Sequence, residues 1–442
     1  MRFKLTASRE LRGEWWVPGH RHEAATGVLS CHPARGAWLR FDLPGAQRVL
    51  AKAGPARMLL GASDDGLPLT LLDCQSGIDA EILVGTAVGG LHFEQGAATI
   101  SRLSFGFPGL ALWLGQGMSR PATGDPSPDE PMPLASFRPL EVTVKGVRIV
   151  GEHCCGVEPG PDQTVCQRGF KLTMNHMAPE TLDRSCAMAM QLIELAAVCL
   201  GRTVVPAWFE IGSCERHAWL WRDMVYENDR DVEVVGTTVV PLQVLSGKPS
   251  IDFQHWLDVY SKVSHVLDYV RAVRSPRLNL SDARLLILSF ALEGLHRTIH
   301  AQEQHCSIEE FATILRMVKP TLRQALKDAY APKLLRERIY QAIGHSYELS
   351  FAERIRSLSE FVSSYVDLPA LRWSDDEIAY LKGLRNQLTH PGIGADWRQA
   401  DRRKQLRLTS KSHQTIRARL MAEIGVPAEV ARPAILQGMN DG

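Results

Sequence analysis

The sequence predicts an α+β protein, in which a β-rich N-terminal half, residues 1–245, precedes an all-α helical bundle, residues 246–442. Two patterns support this division. Before residue 245, short runs of β-branched and aromatic residues alternate with Gly, Pro and Asp turns, which is typical of antiparallel strands. After residue 248, apolar residues recur every three or four positions, which is typical of helices that bury one face. With 442 residues and 45% apolar content, the chain can fill two or three domain cores.

In the β half, we expect strands at six runs, a proline-rich loop and one helix. The loop is the segment 120–139, which holds six prolines and few apolar residues. The helix covers about 179–200, where apolar residues have helical spacing and Gly201 occupies the C-cap position. The expected strands are 27–31, 37–41, 67–72, 80–84, 140–144 and 148–150.

Three helices of the C-terminal half are predicted from their apolar stripes and end signals. The first covers 281–300, with Leu or Ile at spacings of 3, 4, 3 and 4, and the second covers 351–365. The third begins at Ser374, which forms a capping box with Glu377, and should end before Pro391.

Composition excludes several classes of protein. No apolar run approaches the roughly 18 residues of a membrane span, and the N-terminus lacks the apolar region of a signal peptide. The nine cysteines have irregular spacing, which argues for reduced thiols in a cytoplasmic protein rather than a disulfide framework. The 50 basic and 49 acidic residues give a net charge of +1. The basic excess lies in the C-terminal half, so an anionic polymer is the expected partner there.

The candidate catalytic residues are Arg385, Asn386 and His390, near the end of the third predicted helix. An Arg-x4-His pair alone is expected roughly once by chance in this composition, whereas requiring Asn after the Arg lowers the expectation to about 0.015. Arg385 and His390 can stabilise a phosphodiester and move its protons. On a regular helix the two side chains point about 140° apart, so two copies meeting across a two-fold axis would assemble the site more easily than one.

A structural interpretation of the same residues stays open. Arg385 falls in the apolar sector of its helix, where a charged side chain needs a partner, so a buried ion pair is an equal expectation for it. His390 at the helix C-terminus would then serve only to complement the helix dipole.

The Arg385-Asn386-x-x-x-His390 element, ending a helix in an all-helical domain, resembles the HEPN superfamily of metal-independent ribonucleases. Two further segments resemble the ApeA-like family of antiphage defence proteins, which joins an N-terminal ApeA domain to a HEPN domain. The segment 11–19, LRGEWWVPG, resembles the start of the N-terminal domain, and 291–297, ALEGLHR, resembles the first HEPN helix. The resemblance covers nearly the whole chain.

This resemblance implies a bacterial abortive-infection effector, a toxin-like endoribonuclease that cleaves RNA by 2′-hydroxyl attack at a composite site in a HEPN homodimer. His390 would act as general acid or base, Arg385 would hold the scissile phosphate, and Asn386 would orient the histidine or the RNA. A transfer RNA anticodon loop is an attractive substrate. Neither cofactor nor metal is expected. The implied partners are RNA, a second copy and a phage-encoded trigger, with no membrane, and the N-terminal domain would be the sensor.

Further candidate residues lie outside this motif. Glu293 and His296, with His300, share one edge of the first predicted helix and are candidates for supporting the nuclease site, although a solvated face explains them as well. Trp15 and Trp16 are expected to point to opposite faces of a strand. A dense basic strip beyond the motif is the candidate RNA-binding surface, with a solvated helix face as the alternative; its members are Arg398, Arg402, Arg403, Lys404, Arg407 and Lys411.

Two alternatives complete the predictions. His153, Cys154, Cys155 and Cys166 offer soft metal ligands without a Cys-x-x-Cys pair, so a metal site there is not favoured. The alternative to a nuclease is a non-catalytic HEPN module that binds RNA or a protein, in which Arg385 and His390 have structural roles.

Overall fold

The computed structural model describes most of the chain in segments separated by gaps. The described residues are 5, 7–33, 35–42, 49, 58–77, 81–93, 98–114, 140–159, 164–212, 217–222, 240–242, 249–274, 278, 280–344, 346–389 and 402–440. The predicted proline-rich loop at 120–139 lies outside them, as do the side chains of 153–169 with the His-Cys stretch. Among the described residues, no helix is both long and apolar enough to cross a membrane.

The chain divides into two compact units. Residues 1–260 and 424–437 form the first, and residues 261–423 and 438–442 form the second. The chain passes from one unit to the other after residues 260, 423 and 437.

The first unit is built on one antiparallel sheet of twelve strands, in the order β3-β2-β1-β4-β5-β6-β12-β11-β7-β10-β9-β8. A further pairing of β3 with β6 closes the first six strands into a barrel. All six expected runs overlap observed strands, and four lie entirely within them; the runs 67–72 and 80–84 each begin one residue before the strand. The strands are β1 Arg9–Trp16, β2 Ala25–His32, β3 Gly36–Phe41, β4 Met58–Ser63, β5 Pro68–Ser76, β6 Glu81–Gly89, β7 Thr99–Gly106, β8 Leu140–Val144, β9 Val147–Pro159, β10 Thr164–Thr181, β11 Trp208–Gly212 and β12 His217–Arg222.

Buried side chains alternate along β1, as expected for a strand with one face on a core, but the alternation ends at Trp16. Trp15 is fully buried, and its indole N–H donates to the Gly27 carbonyl at 3.2 Å. Trp16 is also buried, with its ring against His92 and the Arg21 guanidinium. Both indoles are therefore covered, and the ring of Trp16 is not presented to solvent because His92 and Arg21 lie against it.

Among the described residues, this part of the chain has the helices α1, Leu110–Trp113, and α2, Leu182–Leu200. The Thr181 hydroxyl caps the N-terminus of α2, and Gly201 ends it in the left-handed conformation predicted for a C-cap. β10 continues to Thr181, so the helix begins three residues later than expected. Cys186 and Cys199 on α2 are buried, as are Cys31 and Cys74 in the sheet. Burial raises the pKa of Cys31 and Cys74 to about 12, so these thiols stay protonated.

The described residues from 249 onward are mainly helical, which confirms the predicted fold class of a β-rich N-terminal region followed by a helical region. The three predicted helices are present, and Ser374 forms its capping box with Glu377. The helices are α3 Pro249–Arg274, α4 Ser281–Ile299, α5 Ile308–Asp328, α6 Lys333–Gly344, α7 Phe351–Tyr365, α8 Asp375–Thr389, α9 Arg402–Glu423 and α10 Ala428–Asn440.

The core of the second unit is centred on α4, which packs against α7, α8 and α9. Its apolar stripe is completely buried at Leu285, Leu288, Leu292 and Leu295. α5 and α6 differ from the other helices because neither contains a buried residue. Their apolar side chains, and those of the turn between them, include some of the most exposed in the described chain, such as Met317 at 67% and Tyr330 at 94%.

Candidate functional site

Arg385 lies on α8 with its guanidinium against two aromatic rings and one carboxylate. The guanidinium carbon is 5.5 Å from the Phe290 ring centroid and 5.0 Å from that of Phe351. Its Nη1 is 2.8 Å from Glu293 Oε2. The side chain remains 29% exposed. Arg385 is thus held in a fixed orientation at the edge of the core, where solvent still reaches it.

Glu293 also connects Arg385 to a longer network. Its second oxygen, Oε1, accepts a hydrogen bond from Arg297 Nη2 at 3.2 Å. Arg297 Nη1 in turn lies 2.8 Å from Glu348 Oε2. The same Glu348 oxygen accepts from Arg354 Nη2 at 2.9 Å. The network therefore alternates three guanidiniums with two carboxylates, leaving one positive charge in excess among these five side chains. Burial, followed by repulsion from Arg297, lowers the pKa of Arg354.

The other motif residues are placed only in part. Asn386 is exposed on α8, one residue beyond Arg385. His390 lies outside the described residues, as does Arg398. Of the three residues predicted to support the site, Glu293 contacts Arg385 directly. Sequence reasoning missed the rest of the network, although the i,i+4 spacing of Glu293 and Arg297 on one helix was a signal for it.

His296 belongs to a second cluster, one turn along α4 from Glu293. His296 Nε2 lies 3.1 Å from Glu303 Oε2, and the other oxygen of Glu303 accepts from His300 Nδ1. The two imidazoles stack with centroids 5.0 Å apart, and Ser357 donates to Glu303 at 2.7 Å. Glu303 is therefore the acceptor that holds this cluster together.

The donor atoms of His296, His300 and Glu303 all lie within 4.8 Å of one another, and their types suit a divalent ion. The surrounding contacts do not suit one. Arg419 Nε donates to His300 Nε2 at 3.3 Å, whereas a metal-bound imidazole needs an acceptor for its second nitrogen. His296 Nδ1 is buried without a partner, so it also lacks that acceptor. The geometry thus favours a hydrogen-bonded cluster around the Glu303 carboxylate.

His296 should make the stability of the second unit sensitive to acid. Burial, reinforced by His300, lowers the pKa of this fully buried imidazole to about 4. Between pH 6.5 and about 4, the unfolded chain binds a proton that the native His296 excludes, so the free energy of unfolding falls as the pH falls. We expect the His296→Gln variant to have a shallower slope in this range, by up to about 1.4 kcal/mol per pH unit.

Urea unfolding at a series of pH values measures this difference. Burial also lowers the pKa of His413, so the variant should keep part of the acid sensitivity. Parallel pH profiles for the wild type and His296→Gln would contradict the assignment.

The predicted basic strip separates into exposed and buried cations. Arg402 and Arg403 are exposed in the first turn of α9. Lys404 is half-buried with its ammonium 4.5 Å from the centre of the Tyr380 ring. Arg407 is 66% exposed, and its Nη2 lies 3.2 Å from Glu377 Oε1. These four remain accessible to a phosphate backbone.

Lys411, which is also a predicted RNA contact, differs from these four. Its ammonium is buried, 2.7 Å from Glu377 Oε2 and 2.7 Å from the Arg372 carbonyl oxygen. Farther along α9, Arg417 and Arg419 are buried too. The exposed cations lie in the first two turns of α9, whereas almost every residue from Lys411 to Leu420 is buried, because α4 and α7 pack against this helix.

Two family models match the chain. A model described as ApeA N-terminal domain 1 matches residues 10–143, and a model described as Apea-like HEPN matches residues 286–430. The second range contains Arg385, Glu293 and both clusters described above. Searches of curated proteins and of solved structures found no match.

Proposed function

From the ApeA-like architecture of this chain, an ApeA N-terminal domain followed by an Apea-like HEPN domain, we propose that it is a metal-independent endoribonuclease that acts in the bacterial cytoplasm during phage infection. The matches to these two domains support the assignment of the chain as a HEPN-containing antiphage defence protein. The observation that carries the nuclease proposal is the placement of Arg385. Glu293 and two aromatic rings hold its guanidinium in one orientation, and part of it remains accessible to solvent.

In the proposed reaction, the ribose 2′-hydroxyl attacks the adjacent phosphorus and the bond to the 5′-oxygen breaks. His390 removes the proton of the hydroxyl, and His390 of a second copy returns a proton to the leaving oxygen. The products are a 2′,3′-cyclic phosphate and a free 5′-hydroxyl. Because the nucleophile belongs to the RNA, the reaction requires no metal-bound water.

Arg385 has the chemistry that the phosphate requires. Its planar guanidinium can donate two parallel hydrogen bonds to phosphate oxygens and stabilise the charge that grows during attack. Glu293 would position it, while Arg297, on the other oxygen of Glu293, keeps that carboxylate from neutralising Arg385 fully. Asn386 would orient the histidine or the RNA.

RNA binding near this site is supported by the exposed cations of α9. Arg402 and Arg403 occupy the first turn, where the positive end of the helix dipole adds to their attraction for phosphate. We retain Arg402, Arg403, Lys404 and Arg407 as RNA contacts, with Arg398, and leave Lys411 out. An anticodon loop is the proposed substrate because its unstacked bases and flexible backbone allow in-line attack.

The function is tested by incubating the purified protein with total bacterial RNA in EDTA, with and without lysate of phage-infected cells, and sequencing the fragment ends. Discrete cuts with cyclic-phosphate ends are the expected result. The sequenced ends identify the substrate, and dependence on infected lysate identifies a trigger. Intact RNA under every condition would favour the non-catalytic RNA- or protein-binding module instead.

Variants of Arg385 test whether RNA cleavage can be lost while RNA binding is kept. We expect Arg385→Ala to abolish detectable cleavage, since removing one donor to a developing charge costs about 10²- to 10³-fold in rate, while RNA affinity falls only in part. Arg385→Lys keeps the charge but loses the planar fork, so its rate should be intermediate. Rates are measured on labelled RNA and affinities by fluorescence anisotropy. If cleavage and binding disappear together and the thermal midpoint collapses, Arg385 has only the structural role of an ion pair with Glu293.

A further inference from the structure

The helix α5 carries a line of exposed cations that the motif does not include. Arg316, Lys319, Arg323 and Lys327 are spaced by 3, 4 and 4 residues, so they share one face of the helix. All four side chains are exposed. At 1.5 Å per residue, the line is about 16 Å long, which matches several consecutive phosphates of an extended strand.

These cations are not used to stabilise the fold. Within the described residues, none of the four forms an ion pair with a carboxylate. Two of the three acidic groups of α5 have other partners: Glu310 forms the capping box with Ser307, and Asp328 accepts from Gln324 at 2.7 Å. The third, Glu309, lies about two turns before Arg316, beyond the end of the line of cations. Four aligned cations without counterions repel one another, and an external polyanion would relieve that repulsion.

We propose that the Arg316-Lys319-Arg323-Lys327 face of α5 binds the backbone of single-stranded RNA. The inference rests on the proposed ribonuclease function, and it assigns to the substrate a second contact surface, apart from the motif helix. Because the contacts are to phosphates, this surface adds affinity and orientation but no base specificity.

An anionic membrane is the main competing partner, since α5 also exposes apolar residues such as Ile314 and Val318. A helix that lies in a membrane interface carries its cations around the polar face and keeps acids away from the lipid. On α5, however, Glu310 and Asp328 border the apolar sector on the side opposite the cations. Lipid phosphates would meet these carboxylates, whereas an RNA strand following only the basic face would not.

The test compares two variants in the His390→Ala background, in which RNA is bound without being cut. One replaces Arg316, Lys319, Arg323 and Lys327 with Gln. The control removes the same number of exposed cations elsewhere, by changing Arg40, Arg148, Arg184 and Lys262 to Gln. Circular dichroism checks that both fold. The probe is an unstructured RNA of about 30 nucleotides, long enough to follow the surface.

Affinity is measured by anisotropy at several salt concentrations. We expect the α5 variant to lose at least about 10-fold in affinity and its salt slope to decrease by about 2 to 3, since each phosphate contact to single-stranded RNA contributes about 0.7. The control variant should keep the slope of the parent. Equal slopes for all three proteins would overturn the inference while leaving the proposed function in place.

Two further outcomes also decide the question. A parent protein that binds no RNA would overturn the proposed function and this surface together. Vesicles of phosphatidylglycerol and phosphatidylcholine form the second arm. If the α5 variant loses vesicle binding but keeps its RNA affinity, the basic face serves a membrane and the RNA assignment is wrong.

Discussion

Replacing His390 with alanine is expected to lower the rate of RNA cleavage by about 10²- to 10⁴-fold, the range that a positioned general acid or base contributes. RNA affinity should change little, because the exposed cations supply most of the attraction for the phosphate backbone and one imidazole adds little to it. The rate is measured in EDTA on the substrate found by fragment-end sequencing, and the cyclic-phosphate ends are counted separately.

A second histidine serves as the matched control. The side chain of His305 is 47% exposed, and its Nε2 lies 3.5 Å from Glu353 Oε2. Exposed pairs of this kind contribute little to the free energy of unfolding. His305→Ala should cleave at the wild-type rate. Should His390→Ala cut RNA as fast as His305→Ala, His390 does not transfer the protons and the two-histidine mechanism fails.

Replacing Lys411 with methionine is expected to lower the free energy of unfolding by about 3 kcal/mol. Lys411 and Glu377 form a buried ion pair at 2.7 Å, and removing one partner leaves the other charge buried. Although burial alone would raise the pKa of Glu377, hydrogen bonds from Lys411 and the Ser374 backbone hold it below its usual value, so the carboxylate is charged. Urea unfolding gives the loss. Per folded molecule, RNA affinity should equal that of the wild type.

Two comparisons sharpen this result. Arg402→Gln removes an exposed cation and should change the free energy of unfolding by less than about 0.5 kcal/mol while weakening RNA binding. The double variant Lys411→Met, Glu377→Met should recover only part of the stability, since Glu377 also accepts from the Ser374 backbone at 3.0 Å. A stable Lys411→Met protein with reduced RNA affinity would return Lys411 to the RNA-binding surface.

Local patterns in the sequence predicted several elements and some of their ends. The stripe of Leu285, Leu288, Leu292 and Leu295 predicted a helix with one buried face, and that face is fully buried. The Ser374 capping box and the Gly201 C-cap also occur as predicted. Such signals depend on neighbours within one or two turns, so the linear order of residues already contains them.

For the basic residues, the sequence alone does not predict which side chains are exposed to solvent. Density alone singles out the strip around α9, but exposure separates Arg402 from the buried Lys411. The four aligned cations of α5 are less dense in sequence and give no such signal. Whether a cation faces solvent depends on which helices pack against its own, and α5 exposes every residue of its basic face because none of its residues enters a core.

The sequence by itself determined that a β-rich part precedes a helical part, the Arg385-Asn386-x-x-x-His390 motif and the resemblance to a HEPN architecture. Only the tertiary structure decided that Arg385 pairs with Glu293, that His296 turns to Glu303 instead, and that β3 pairs with β6 to close a barrel. The physical reason is the distance along the sequence between the residues that contact each other. Periodicity and caps are set by contacts a few residues apart, whereas an ion pair or a barrel closure joins residues that only the packing of the chain brings together.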